Sequence, residues 1–448
     1  MAAYTSGMSR LIDQMGWRGR LIARRVALLV AVAALVAGCG LSTDLAQQVA
    51  ERSGPAVTDA EPPGQGGSGF EATARDFAAV RRVLRERAQA VTEGDRATFL
   101  SSVDSTDEEF YASQLTLFDN LQELPVAGLN YEVSDFGLQT ADIESAGPTF
   151  APETVEHVFL QGTDFRPVSN PVDYTFVRLD GRWLVAAESA ARPDSTPHRP
   201  WAGGPIEVSV EGRLIAIADA GADAAADEIS ARAMTALQVS SDTLDVPVDS
   251  RLVVDATSNG ESYAINSDEL EAAAVTFPVF ASRDFRRTRL AGWRVKINPE
   301  LVEQLVEDDS LLLHEITHYV LREYSSSAPL WLTEGVPEYV SHVPSGFDYL
   351  TLSDDQYAEL MAAPRELPLA GLFYIEPDVN YLIGHATAMY VVEEYGTQTL
   401  IELMDAFAAS PYQPYGEADT AKLVRQELGI SSVELAQRAF ELLEGIDH

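Results

Sequence analysis

LLHEITHYV, residues 312–320, constrains this chain more than any other stretch. Asp308, Asp309 and Ser310 precede it as capping residues, and apolar positions recur through Val320 and Leu321, which predicts a helix. Four residues are a little over one turn, so His314 and His318 project from the same face of that helix. Two imidazoles so placed reach one ion at roughly 2.0–2.1 Å. Glu315 sits about 100° round the helix, beside such an ion without ligating it, where a base can act on metal-bound water. With 7 histidines in 448 residues, this pattern arises by chance about once per hundred such chains at average usage. A solvated helix face is the competing reading.

A catalytic zinc needs a third protein ligand. PLWLTEGVPEYV, residues 329–340, offers Glu334, 16 positions after His318. Thr333 is placed to cap a helix beginning at Glu334, and SSSAP supplies the turn that brings this helix back. Glu338, one turn further on, can accept the free ring N–H of a ligating histidine and fix its tautomer. Its alternative is a surface glutamate.

HEITH followed by WLTEGVPEY resembles the gluzincin metallopeptidases, especially the peptidase-MA-like proteins with HE-x-x-H…W-L-x-E-G-x-x-E-Y. The resemblance spans about 205–448, with its sharp motifs confined to 314–339. It implies a peptidase binding one zinc per chain through His314, His318 and Glu334, with Glu315 as general base and acid and Glu338 supporting a ligand. Family members hold the oxyanion with a Tyr or His from a later helix. Here NYLIGHATAMYVVEEYG, residues 380–396, offers Tyr381 and His385, one turn apart, with plain packing as the alternative for both. Two departures stand out. The gap before the third ligand is shorter than in thermolysin or aminopeptidase N, and Pro337 lies inside the ligand helix, though in its first turn. His342, in HVPSG, reads as loop and takes no role. The strand WRVKIN, residues 293–298, is expected to align an extended peptide by edge pairing. No recognition motif for a free N-terminus is visible, which favours an endopeptidase.

The rest of the chain frames this unit, and the fold class expected is α+β. From 71 to 190, Phe77, Val80, Val83, Leu84, Ala88 and Val91 recur at helical spacing. A break at Glu93-Gly94-Asp95, short helices around Phe99 and 107–121, and then four strands follow. The last two strands meet at Asp180-Gly181, a hairpin signal. The order, with RLDGRWLVA, resembles the nuclear-transport-factor-2-like cone, which implies a binding or spacer module; His157 reads as a structural strand residue. ARPDSTPHRPWAGGP marks a linker over 191–204. The unit 205–448 opens with a hairpin, a helix around 222–238 and the strand RLVVDAT, and is helical from about 380.

Cys39 is the sole cysteine, which excludes an intrachain disulfide. Arg18, Arg20, Arg24 and Arg25 precede an apolar run, VALLVAVAALVAG, that ends at Cys39 and reads as a signal peptide over 1–38. A transmembrane anchor with an incidental cysteine is the alternative. Val36-Ala37-Gly38-Cys39 resembles the bacterial lipobox, which implies cleavage before Cys39 and a lipid on its sulfur. Residues 39–70, rich in Pro, Gly and small polar residues, read as a tether to the extracytoplasmic face of the membrane. A net charge of −38 argues against a nucleic-acid partner. The partners expected are a peptide or protein substrate and the membrane. The rival reading is a non-catalytic surface lipoprotein that binds a partner and uses its zinc domain as a scaffold.

Overall fold

A computed structural model describes residues 72–134, 147–189, 198–222, 225–259, 273–281, 289–298, 301–302, 309–325, 328–346, 354–369, 371–409 and 417–444. Cys39, the signal segment and the tether lie outside them. No described helix is long and apolar enough to cross a membrane. The architecture is α+β, with two open five-stranded sheets.

The first sheet follows three helices, α1 (Ala74–Glu93), α2 (Arg96–Leu100) and α3 (Glu108–Glu123). Thr73 and Asp76 form a reciprocal capping box at the start of α1, and Gly94, at φ 70°, ends it. The strands are β1 (Val126–Val133), β2 (Thr149–Phe150), β3 (Thr154–Leu160), β4 (Val168–Leu179) and β5 (Arg182–Ser189), all paired antiparallel. Asp180 and Gly181 both take positive φ, 48° and 79°, as the two-residue turn between β4 and β5 requires. Phe77, Val80 and Leu84 of α1 pack on Phe150, Tyr174, Phe176 and Trp183.

The second sheet contains β6 (Ile206–Glu211), β7 (Leu214–Asp219), β8 (Val253–Ala256), β9 (Ala274–Phe280) and β10 (Leu290–Ile297), in the order β6-β7-β8-β10-β9, with α4 (Ala226–Leu244) between β7 and β8. β7, β8 and β10 run parallel, and β6 and β9 are antiparallel edges. WRVKIN therefore lies in an interior strand with both backbone edges occupied. The edge strand next to it is β9, where Pro278 is in keeping with an edge position.

β7 reads LIAIAD with no polar residue before Asp219, because both its faces are covered. Leu214, Ala216 and Ala218 face the cluster built from α4 and the later helices. Ile215 and Ile217 face the other way, onto Leu117, Phe118 and Leu121 of α3, Val158 and Leu160 of β3, and Trp201. One apolar cluster thus joins the two sheets. The described part of the Pro-rich break is held within it: His198, Arg199 and Trp201 are buried, and Asn120 Nδ2 donates to the Trp201 and Gly204 carbonyls at 3.0 and 2.8 Å. This part of the break is thus packed structure, where its composition had suggested a free linker.

The helices after β10 are α5 (Ser310–Val320), α6 (Leu330–Thr333), α7 (Gly335–His342), α8 (Asp354–Ala362), α9 (Pro377–Tyr395), α10 (Thr397–Ala409), α11 (Glu417–Leu428) and α12 (Ser432–Glu444). Neither expected side-chain cap forms. Asp309 occupies the N-cap of α5 but pairs with Arg232 of α4, and Thr333 closes α6 while Glu334 takes the N-cap position of α7. The crossing of α7 and α9 is made through two glycines. A Cβ on Gly335 would lie 2.4 Å from the Gly384 carbonyl, and one on Gly384 would lie 2.9 Å from the Trp331 oxygen. With no side chain between them, α9 lies directly against the turn that carries Glu334.

Candidate metal centre

α5 is buried at every position from 312 to 320, which an isolated pair of histidines would not tolerate without partners. The partners come from α7. His314 Nε2 and His318 Nε2 are 3.1 Å apart, and Glu334 Oε2 lies 3.6 Å from the first and 3.4 Å from the second. A tetrahedral ion with bonds of roughly 2.0–2.1 Å sets its ligand atoms about 3.3–3.4 Å apart. The triangle therefore has the dimensions of one face of such a site. Three further features fit a cation at its centre. His314 Nδ1 lies 3.2 Å from Glu338 Oε2, so Nδ1 carries the proton and Nε2 can present a lone pair inward. Glu334 is fully buried, with Oε1 accepting no hydrogen bond among the described residues. The donor set, two imidazoles and a carboxylate, suits zinc.

The electrostatics of the ion-free site agree. Burial opposes charge on His314, but the Glu334 and Glu338 carboxylates outweigh it and push the imidazole up to about 10. Burial likewise opposes charge on Glu334, yet His318 and His314 hold it down to about 2. Without a metal the cluster borrows a proton, and an ion would have to displace it.

Glu315 lies close enough to this triangle for both imidazoles to act on its charge, and it is held from the second sheet. Its Oε2 accepts from Thr276 Oγ1 at 2.9 Å, its Oε1 is buried with no hydrogen-bond partner among the described residues, and burial raises its pKa despite the two imidazoles. An oriented carboxylate with one free oxygen and a raised pKa is equipped to take up a proton. Thr276 lies on β9, so the edge strand itself holds this carboxylate. The sequence reading did not include this contact.

The two residues of α9 part company. Tyr381 joins the triangle, donating its hydroxyl to Glu334 Oε2 at 3.0 Å. His385, one turn later, lies instead with Glu338 and His342. α7 and α9 pair turn for turn, Glu334 with Tyr381 and Glu338 with His385, so the helical spacing that suggested one shared role separates them. Tyr374, in the segment before α9, was also missed. Its hydroxyl is buried with no hydrogen-bond partner among the described residues, and burial together with the Glu334 charge pushes its pKa upward. Nothing in FYIEP signals this, because only the loop's path brings the ring back.

His157 lies on β3, with Nδ1 2.9 Å from Ser169 Oγ, away from this centre. His342, which read as loop, ends α7 and contacts Glu338. Compared with protein-family models, curated proteins and solved structures, the chain has no match.

Proposed function

We propose that the chain is a zinc-dependent peptidase, an endopeptidase of gluzincin type, tethered by a lipid on Cys39 to the extracytoplasmic face of a bacterial membrane. The observation that carries the catalytic reading is the triangle of His314 Nε2, His318 Nε2 and Glu334 Oε2 with the open Glu315 carboxylate beside it. Zinc held there would lower the pKa of a water toward about 7 and polarise the substrate carbonyl. Glu315 Oε1 takes the proton of the attacking water and later delivers it to the leaving amine nitrogen. Thr276 keeps that carboxylate in place through Oε2. Tyr381 is engaged with Glu334 and steadies a ligand, which leaves the Tyr374 hydroxyl as the donor best placed to meet the oxyanion. Glu338 accepts the His314 ring proton and so keeps Nε2 free to ligate. A peptide extended along β9 would present its carbonyl beside Thr276 and Glu315.

The test combines metal content with turnover. Purified wild type is expected to carry zinc in the His314/His318/Glu334 triad and to cut members of a broad peptide library, with cutting abolished by chelator and restored by zinc. A folded protein without zinc overturns the metal reading. Zinc-loaded protein that cleaves nothing favours the partner-binding scaffold. For the anchor, Cys39→Ser should release the protein from the membrane fraction; a serine variant that remains lipidated removes that part of the reading.

A further inference from the structure

Glu338 belongs to two clusters. Its Oε2 faces His314 Nδ1, while its Oε1 lies 3.5 Å from His342 Nε2. His385 completes the second group, in which one ligating atom from each of Glu338, His342 and His385 lies within 4.8 Å of the others. Glu338 and His385 are buried and His342 nearly so. The tautomer of His342 follows from the contacts of its other nitrogen. Nδ1 lies 2.5 Å from the Glu338 backbone oxygen, which can only accept, and 2.7 Å from Ser341 Oγ, which donates its proton to that same carbonyl, so in the neutral ring Nδ1 carries the proton and Nε2 the lone pair. That lone pair meets a carboxylate oxygen. Two acceptors across 3.5 Å repel unless a proton or a cation lies between them, and 3.5 Å is close to the ligand spacing of a tetrahedral zinc.

We propose that Glu338, His342 and His385 form a second divalent-cation site, of zinc-like preference, joined to the first through the Glu338 carboxylate. The inference rests on the metal reading of the first triad only in that Glu338 serves both. Two imidazoles and one carboxylate select zinc and neighbouring first-row ions over magnesium or calcium. Its one carboxylate is already engaged by the His314 ring proton, so it offers a cation less charge than the first triad and fills at higher free zinc. A cation on Oε1 also draws charge from the carboxylate that accepts the His314 proton, so filling the second site weakens the hold on that ligand.

The experiment strips the full chain with chelator, dialyses it against graded free zinc and counts bound zinc by elemental analysis. Wild type should pass through a plateau at one zinc and reach two. His342→Ala and, separately, His385→Asn should stop at one, and retention of that tight zinc shows that each variant is folded. His318→Ala should lose the tight zinc and keep the weak one. Wild type that saturates at one zinc overturns the second site and leaves the proposed function standing, as do His342→Ala and His385→Asn variants that both still bind two. Wild type that binds none overturns the first site as well.

Discussion

Two of the groups of charged side chains buried among the described residues are solved in opposite ways. Between the sheets, Lys296 Nζ lies 3.0 Å from Asp255 Oδ1 and 2.5 Å from the Thr257 carbonyl, and Arg294 Nη2 lies 2.7 Å from Asp164 Oδ1. His198 bridges them, with Nδ1 3.3 Å from Arg294 Nε and Nε2 3.2 Å from Asp255 Oδ2, the latter off the hydrogen-bonding direction. Two cations and two carboxylates cancel, so the chain neutralises this network by itself, although His198 Nε2 and Asp255 Oδ2 make no hydrogen bond among the described residues. At the candidate metal centre, three atoms that could ligate one ion come together, and Glu315 and Glu334 each have an oxygen with no hydrogen-bond partner among the described residues. That arrangement is complete only with a proton or a cation from outside. Burial alone does not mark a functional site; the sign of what is left over does.

The comparison breaks most visibly at Glu315. Glu315→Gln keeps shape and zinc but removes the proton acceptor, so hydrolysis should fall by roughly 10²–10⁴ at unchanged zinc content. Near wild-type cleavage by this variant would refute the mechanism. Next comes Asp255→Ala, which leaves Lys296 buried without its counter-charge and should cost about 3–5 kcal/mol in denaturant unfolding. Glu334→Gln should show its loss in zinc content, with a smaller effect on the metal-free fold. If the metal-free proteins carrying the two substitutions unfold alike, the closed network is no different from the open one.

Tyr374→Phe should lower turnover by roughly 10²–10³ with zinc retained, the typical loss of one oxyanion donor. Tyr381→Phe should act more on zinc affinity than on turnover per bound zinc, and the reverse ranking would exchange their roles. The smallest effects are in pH, where each unit moves stability by at most about 1.4 kcal/mol per proton. His198 and Asp255 both titrate below their ordinary values; burial lowers the first, while Lys296 and His198 lower the second against its burial. The unfolded chain then binds more protons, and their contribution is lost as pH falls below about 6.5 and on through the carboxylate range. His314 is raised, so in metal-free protein its contribution is complete below about 6.5 and is lost as pH climbs toward about 10. Denaturant midpoints of metal-free protein should therefore fall from pH 7 toward 9, and zinc should remove that alkaline loss. A midpoint indifferent to alkali without zinc would show that His314 holds no extra proton.

What could be read from the sequence was local. His314 with His318, and Glu334 with Glu338, are each four residues apart on one helix, and helical geometry carries such pairs into the fold unchanged. Arg232 shows where local reading stops: it comes from another helix and takes Asp309 from its cap. Thr276 and Tyr374 reach the centre through chain paths that periodicity does not encode. The apolar run of β7 announced burial on both faces but not that α3 would supply one of them. β10 looked available for pairing because a strand's neighbours are tertiary facts.

The glycine crossing carries a consequence for sequence drift. Most tight contacts between side chains can be repaired from the other side: when one residue grows, its neighbour can shrink. Gly335 and Gly384 meet backbone to backbone, and no residue is smaller than glycine. An alanine at either position has no compensating partner within the pair, so relief would require moving a whole helix and with it Tyr381 and His385. Changes here are thus barred from the stepwise exchange by which packed cores usually diversify. Sequences descended from this one would have to leave these two positions together or abandon the site.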